Sequence, residues 1–369
     1  MNNANKISCE IIIKPNDKKY SENIREFQGC PTIAVTHGGR IYAGWYAGGT
    51  GEPHMENYNL LVFSDDGGKT WTEPYLVIPS SHKNFVHASD IQLWTDTDGK
   101  LHLSWMQHNV KPAPEKLGEY PAGQIAVVAD GYLFDDFTHA AWEIVCDEPD
   151  AAEPIFTQPR NLFDGFLRTK PITLKNDTLI YSVYNQVENN LVYQISYDKG
   201  KTFKRIKGSE KLPAWCDEPM SYQLNDGSIR TLSRRKPVLT ETFSFDNGLT
   251  WTKAAESDIP NPESRIFVGR TNGGRVLLVG NDSSEIRNNM SIAVSEDDGK
   301  TWKNKICIDA REWTSYPDVD FYGDRIYIIY DRERVDAKEI LFLSVTEEEI
   351  INGSELPSPT IISKPVNTL

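Results

Sequence analysis

Near its C-terminal end the chain reads T-S-Y-P-D over residues 314–318, and earlier it reads D-E-P over 217–219. Tyr316 and Glu218 each stand directly before a proline. A phenol ionises near about 10, so tyrosine acts as a nucleophile only when a carboxylate within hydrogen-bond reach takes its proton. Arginine grips a carboxylate through two parallel N–H bonds. Arg25, Arg168, Arg234, Arg235 and Arg287 are spread along the chain among the acids Glu52, Glu56, Asp90, Asp217 and Asp331. His54 and His87 add groups suited to hydrogen-bonding a polar ligand or to pairing with neighbouring acids. Each residue also has a plain reading. A tyrosine before a proline ordinarily packs, the acids of D-E-P suit a solvated turn, and adjacent Arg234 and Arg235 face opposite sides of a strand, so only one meets a given site. The chemistry exists only if the fold gathers these positions.

The elements that would gather them are repeats. Four octets share Ser-x-Asp-x-Gly-x-Thr-aromatic: S-D-D-G-G-K-T-W from Ser64, S-Y-D-K-G-K-T-F from Ser196, S-F-D-N-G-L-T-W from Ser244 and S-E-D-D-G-K-T-W from Ser295. Ser and Asp side chains bond nearby N–H groups and Gly supplies a left-handed residue, so each octet reads as a hairpin turn. Interleaved with them are six pairs of short strands around Gly, Asp or Asn turns, beginning at Pro31, Ile91, Pro171, Met220, Arg265 and Pro317. Each pair is followed by further strand. Six four-stranded units at a period near about 50 residues predict an all-β fold, a six-bladed β-propeller of four-stranded antiparallel blades. The second unit lacks a good octet, and A-D-G-Y-L-F-D-D from Ala129 reads as its worn remnant. The sixth lacks one too, and the strand over 7–14 is expected to complete that blade and close the ring. No linker divides the chain, so residues 1–369 are read as one domain.

In such a ring the first strand of every unit leaves one mouth of the axial channel and the second returns to it. Residues just before strand one and just after strand two therefore converge. His87, Asp90, Arg168, Glu218 and Tyr316 fall in the first set, and Glu52, Arg234, Arg287 and Asp331 in the second.

Composition narrows the partners. The 369 residues are 39% hydrophobic and 25% charged, enough for a sizeable core. A formal charge of −14, from 39 basic and 53 acidic side chains with no basic run, disfavours nucleic acid and anionic membrane. Five cysteines, odd in number and without a C-x-x-C pair, suggest free thiols, with no metal site and no cofactor expected. The polar start M-N-N-A-N-K has no apolar signal segment, which points to a cytoplasmic protein.

The four octets resemble the Asp-box (BNR) repeats of the sialidase/neuraminidase superfamily, and the resemblance spans roughly residues 25 to 349. These boxes mark the fold rather than the chemistry. The order of residues around the mouth carries more. The resemblance implies Tyr316 as nucleophile, Glu218 as the carboxylate that activates it, Glu52 as acid/base with Glu56 as its competitor, Arg234 and Arg287 as clamps for a substrate carboxylate, and Asp331 as the acid steadying a first-blade arginine. The family has that arginine two residues before the first-blade proline, where this chain has Gly29; Arg25, six before Pro31, is the nearest candidate. His87, Asp90 and Arg168 are expected to touch other parts of the sugar. A phenol suits a substrate with a carboxylate beside the anomeric carbon, because an anionic carboxylate nucleophile would be repelled. What the resemblance implies is an exo-glycoside hydrolase that removes a terminal acidic sugar with retention. Another carbohydrate-active propeller, such as a different glycosidase or a uronate lyase, and a non-catalytic glycan-binding propeller are the alternatives.

Overall fold

A computed structural model describes residues 3–116, 126–184, 188, 190–210, 212 and 217–365. Alternating apolar residues between short Gly and Asp turns give antiparallel meanders, and six of these sheets form the propeller. Taken in chain order, the sheets start with Gln28–Val35, Val86–Thr95, Ile172–Thr173, Asp217–Gln223, Phe267–Arg270 and Thr314–Tyr322. Each is a four-stranded meander. The first adds a short outer strand, Ile12–Ile13, and the second an extra strand, Ala126–Ala129. Apolar side chains of neighbouring sheets pack in clusters, including the fully buried Trp45 and Trp105.

The octets sit between the third and fourth strands and are held by side-chain bonds. In the first, Ser64 Oγ donates to Asp66 Oδ1 at 2.8 Å, and Asp66 accepts from the Thr70 amide at 2.9 Å and from Thr70 Oγ1 at 2.7 Å. Asp198, Asp246 and Asp297 repeat the same bonds. The Ala129 segment is different. Asp130 and Gly131, both at positive φ, form a tight turn joining Ala126–Ala129 to Tyr132–Cys146, so it is an inserted hairpin and not a worn octet.

The N-terminal strand also departs from expectation. Ile12 and Ile13 pair with Val77 and Leu76 on the outside of the first blade. The sixth blade has its own fourth strand, Thr360–Ser363, paired to Glu339–Thr346. That blade therefore offers no vacant place, whereas the outer edge of Leu76–Pro79 was open to pairing.

One local device sets the site. The first strands of blades one, two, four and six each break register, between Gly29 and Thr32, Ser89 and Gln92, Asp217 and Met220, and Ser315 and Asp318. At each break one residue has positive φ: Cys30 at 55°, Asp90 at 54°, Glu218 at 48° and Tyr316 at 53°. An extra residue in one strand re-aims its side chain, and such a backbone is uncommon outside glycine. Three of the four precede a proline, which has no N–H to contribute to the interrupted ladder. Arg265 fixes the first- and sixth-blade bulges by donating to the carbonyls of Pro31 at 3.0 Å and Tyr316 at 3.1 Å, and it reaches the Arg168 carbonyl at 2.8 Å as well. Lys170 similarly bonds the carbonyls of Ile33 and Val319 and pairs with Asp318 at 3.2 Å.

Candidate active site

Tyr316 lies at the centre of the mouth, buried, with Cys30, Phe27 and Tyr46 packed beside it. Its hydroxyl donates to Glu218 Oε1 at 2.6 Å and accepts from Arg234 Nη1 at 2.8 Å. The direction of these bonds matters, because the phenol proton points at a carboxylate while a guanidinium faces the oxygen that would become charged. Arg234 is itself held by two bonds to Asp217, at 2.7 and 3.1 Å. Its Nη1 is also 3.1 Å from Glu218 Oε2, a charge contact too far off line to be a hydrogen bond.

Three more guanidinium groups surround the ring. Their carbons lie 4.2 Å (Arg334), 5.0 Å (Arg265) and 5.4 Å (Arg287) from its centroid. Arg287 donates to the Glu263 carbonyl at 2.7 Å. Arg334 takes Asp331 at 3.0 Å and Glu52 at 2.7 Å. Arg168 pairs with Asp90 at 2.7 Å and lies 3.8 Å from Glu218.

The protonation pattern follows from burial and these cations. Burial pushes the Tyr316 phenol above its ordinary value, with Arg234 opposing and Glu218 adding to the rise. Burial also works upward on Glu218, yet Arg234, Arg168 and the Tyr316 hydrogen bond together hold it below the usual carboxylate range. The resting pair is thus a neutral phenol hydrogen-bonded to an ionised carboxylate. Asp217 is pushed up by burial, against the pull of Arg234.

Beside the tyrosine a cavity of about 250 Å³ opens toward blades one to three, lined among others by Tyr46, Glu52, His87, Asp90, Phe166 and Arg168. His87 bonds Tyr46 Oη at 2.8 Å, and burial drives its imidazole down to about 3, so it meets a ligand as a neutral ring.

Eight of the ten predicted residues gather around this mouth: Tyr316, Glu218, Glu52, Arg234, Arg287, Arg168, Asp90 and His87. Asp331 lies behind it, fully buried, accepting from the Cys30 amide at 2.7 Å, Ser315 Oγ at 2.5 Å and Arg334. It steadies an arginine as expected, but of the sixth blade. Arg25 is not part of the site. It precedes the first strand, and its buried guanidinium bonds the Tyr20 carbonyl at 3.0 Å, Tyr58 Oη at 3.2 Å and Ser363 Oγ at 3.4 Å, tying the N-terminal turns to the last strand. Glu56 pairs with the rim residue His82 at 2.8 Å, which leaves Glu52 as the mouth carboxylate of that loop. Arg235 turns outward to Glu256.

Arg334 is the residue that sequence reasoning missed. A Cβ on Gly29 would lie 2.6 Å from Arg334 Cδ and 2.8 Å from its Nε, so Gly29 is bare where Arg334 crosses. The available signal was Asp331 three residues before it, together with a glycine at the position where an arginine was expected. Cys30, also in the mouth, is a buried free thiol, as are Cys9 and Cys146; Cys307 is free and exposed, and Cys216 lies outside the described residues. Burial raises the Cys30 thiol well above its ordinary value, so it is no thiolate nucleophile.

Comparison with known proteins agrees with this architecture. A family model described as BNR repeat-like domain matches residues 150–328, and one described as BNR/Asp-box repeat matches residues 62–73. Together with six blades and sialidase structural neighbours, these matches support a sialidase/neuraminidase-like superfamily for the chain. Among solved structures it is similar to the NanB sialidase of Streptococcus pneumoniae, at 17% identity and a TM-score of 0.67, over 93% of this chain and 71% of that one. It is similar also to the intramolecular trans-sialidase of Ruminococcus gnavus, at 14% identity and TM-score 0.67, over 93% and 98% of the two chains. The leech intramolecular trans-sialidase gives 14% identity and TM-score 0.70, over 95% and 71%. No curated protein matches at the level of sequence.

Proposed function

We propose that the protein is a retaining exo-glycosidase that removes a terminal sugar bearing a carboxylate next to its anomeric carbon. The observation that carries this reading is the line Glu218–Tyr316–Arg234, at 2.6 and 2.8 Å, with the phenol proton aimed at the carboxylate. A packing tyrosine needs neither neighbour. Arg234, Arg287 and Arg334 supply the positive field for the substrate carboxylate, and the polar cavity toward His87 receives the rest of the ring. The leech structure carries 2,7-anhydro-Neu5Ac, which fits a sugar ligand in a mouth of this kind.

In the first step Tyr316 Oη bonds to the anomeric carbon and gives its proton to Glu218, while the bond to the leaving oxygen breaks and Glu52 protonates that oxygen. In the second, Glu52 takes a proton from water, the water oxygen bonds to the anomeric carbon, the tyrosyl–carbon bond breaks and Glu218 returns the proton to the phenolate. Two displacements give retention. Arg234 stabilises the phenolate as it forms and leaves.

The test is a panel of aryl glycosides of sialic, uronic and neutral sugars, with wild type beside Tyr316→Phe. Wild type is expected to release the aryl group from an acidic sugar, and Tyr316→Phe to lose on the order of 10³-fold or more in kcat. Equal rates in the two proteins would refute the tyrosine nucleophile. An unsaturated, ultraviolet-absorbing product would make the protein a lyase, and glycan bound without turnover would make it a binding module.

A further inference from the structure

The contact between Glu52 and Arg334 is out of place for two groups that must both meet substrate. Arg334 spends its Nε on Asp331, at 3.0 Å, so its free edge is Nη1 and Nη2. That edge would grip a carboxylate through two bonds. In this structure Nη1 already donates to Glu52 Oε1 at 2.7 Å, and Nη2 has only a long contact of 3.5 Å to Ser315 Oγ. The pair is partly buried, with side chains 15% and 34% exposed, and bridges the sixth blade to the loop after the first blade's second strand. The Arg334 stem crosses directly over Gly29, and its Nε bond to Asp331 holds it there.

Resting on the glycosidase reading above, we propose that Glu52 is an internal stand-in for the substrate carboxylate, and that substrate binds by taking Arg334 away from it. The exchange couples binding to catalysis. Around Tyr316 the mouth holds Arg168, Arg234, Arg265, Arg287 and Arg334 against Glu52, Asp90, Asp217, Glu218 and Asp331, so its formal charges balance. An arriving carboxylate adds one negative charge to this balanced, partly buried set, where an unpaired charge is costly. Release of Glu52 lets it take a proton from solvent, which restores the balance and delivers the acid that the leaving oxygen requires. Glu52 is thereby kept from acting until a carboxylate-bearing sugar is seated, a discrimination against neutral sugars that uses no steric wall.

The exchange predicts an unusual sign. Replacing Glu52 by Gln removes the internal competitor, so binding should tighten while turnover falls. Titration calorimetry with free N-acetylneuraminic acid and with its methyl ester reads this directly. Wild type should bind the acid with uptake of about one proton, seen by varying the buffer's ionisation enthalpy, and bind the ester poorly. Glu52→Gln should bind the acid about 2- to 5-fold tighter, the range of a partly exposed ion pair, with the proton uptake gone. Arg334→Gln should lose most of the preference for acid over ester and the proton uptake with it. Acid affinity unchanged or weakened in Glu52→Gln, or proton uptake that persists in it, would overturn the exchange while leaving the glycosidase reading standing. No binding of the acid by wild type would overturn both.

Discussion

The Tyr316 hydroxyl has two partners of opposite charge, and each sets a different property. Glu218 accepts the hydroxyl's hydrogen bond, and Arg234 donates to its oxygen. Glu218 can accept only while ionised, and burial works against that; Arg234 and Arg168 keep its titration low. Arg168→Gln takes away one of the cations that oppose burial at Glu218, so the acid limb of kcat/KM against pH should move to higher pH by about 1 unit, the size of shift a nearby opposite charge produces. An unmoved limb would mean that Arg168 serves the sugar alone. Most of this centre was legible from repeat phase, because Tyr316, Glu218, Asp90 and Cys30 hold equivalent places in their blades. Arg334 was not legible. It lies past the strand in the turn after Arg332, beyond Glu333 at φ 47°, and it reaches the ring only because Gly29, remote in sequence, leaves the path open. A pairing between chain positions so far apart has no periodic signature. Arg25 misled for the opposite reason: counting back from Pro31 passes the start of the first strand at Gln28 and enters a turn that faces Tyr20 and Tyr58.

At the level of elements, the octets were readable because their bonds are local, closing within seven residues of sequence or fewer. The outer strands were not, since which edge Ile12–Ile13 joins depends on which edge remains open in the folded ring. The turns have a measurable electrostatic consequence. Hydrogen bonds from the Thr70 amide and hydroxyl and from Ser64 lower the Asp66 carboxyl to about 2. A carboxylate lowered in the folded state stabilises the fold above its unfolded value, near about 4, and loses that contribution as pH falls through about 2. Asp66→Asn should therefore lower the thermal midpoint at pH 7, and the gap from wild type should close between about pH 4 and pH 2. A gap independent of pH would show that the amide replaces the carboxylate's bonds in kind.

For the whole molecule, blade number followed from counting hairpins, and the sign of the net charge from composition. How the ends are fastened followed from neither. Arg25 is one of the fastenings, with its guanidinium bonded to Tyr20, Tyr58 and Ser363. Truncating it to Met leaves those buried groups without their donor, at a cost of about 2–4 kcal/mol. Denaturant unfolding should register that loss while kcat/KM on any substrate the wild type accepts stays the same. A fall in kcat/KM with stability intact would return Arg25 to the site.

The sixth sheet is completed by its own Thr360–Ser363, and Ile12–Ile13 lies wholly on the first, so among the described residues no strand is shared between the first and last blades. Side chains button that seam: Thr32 to Asp318 at 2.7 Å, the Cys30 amide to Asp331 at 2.7 Å, Gln28 to the Lys338 carbonyl at 2.5 Å and Arg334 to Glu52 at 2.7 Å. Two of these buttons, Asp331 and the Arg334–Glu52 pair, adjoin the candidate site. A seated sugar that draws on Arg334 would thus handle the clasp of the ring itself, and every variant made there to probe chemistry also loosens or tightens the clasp.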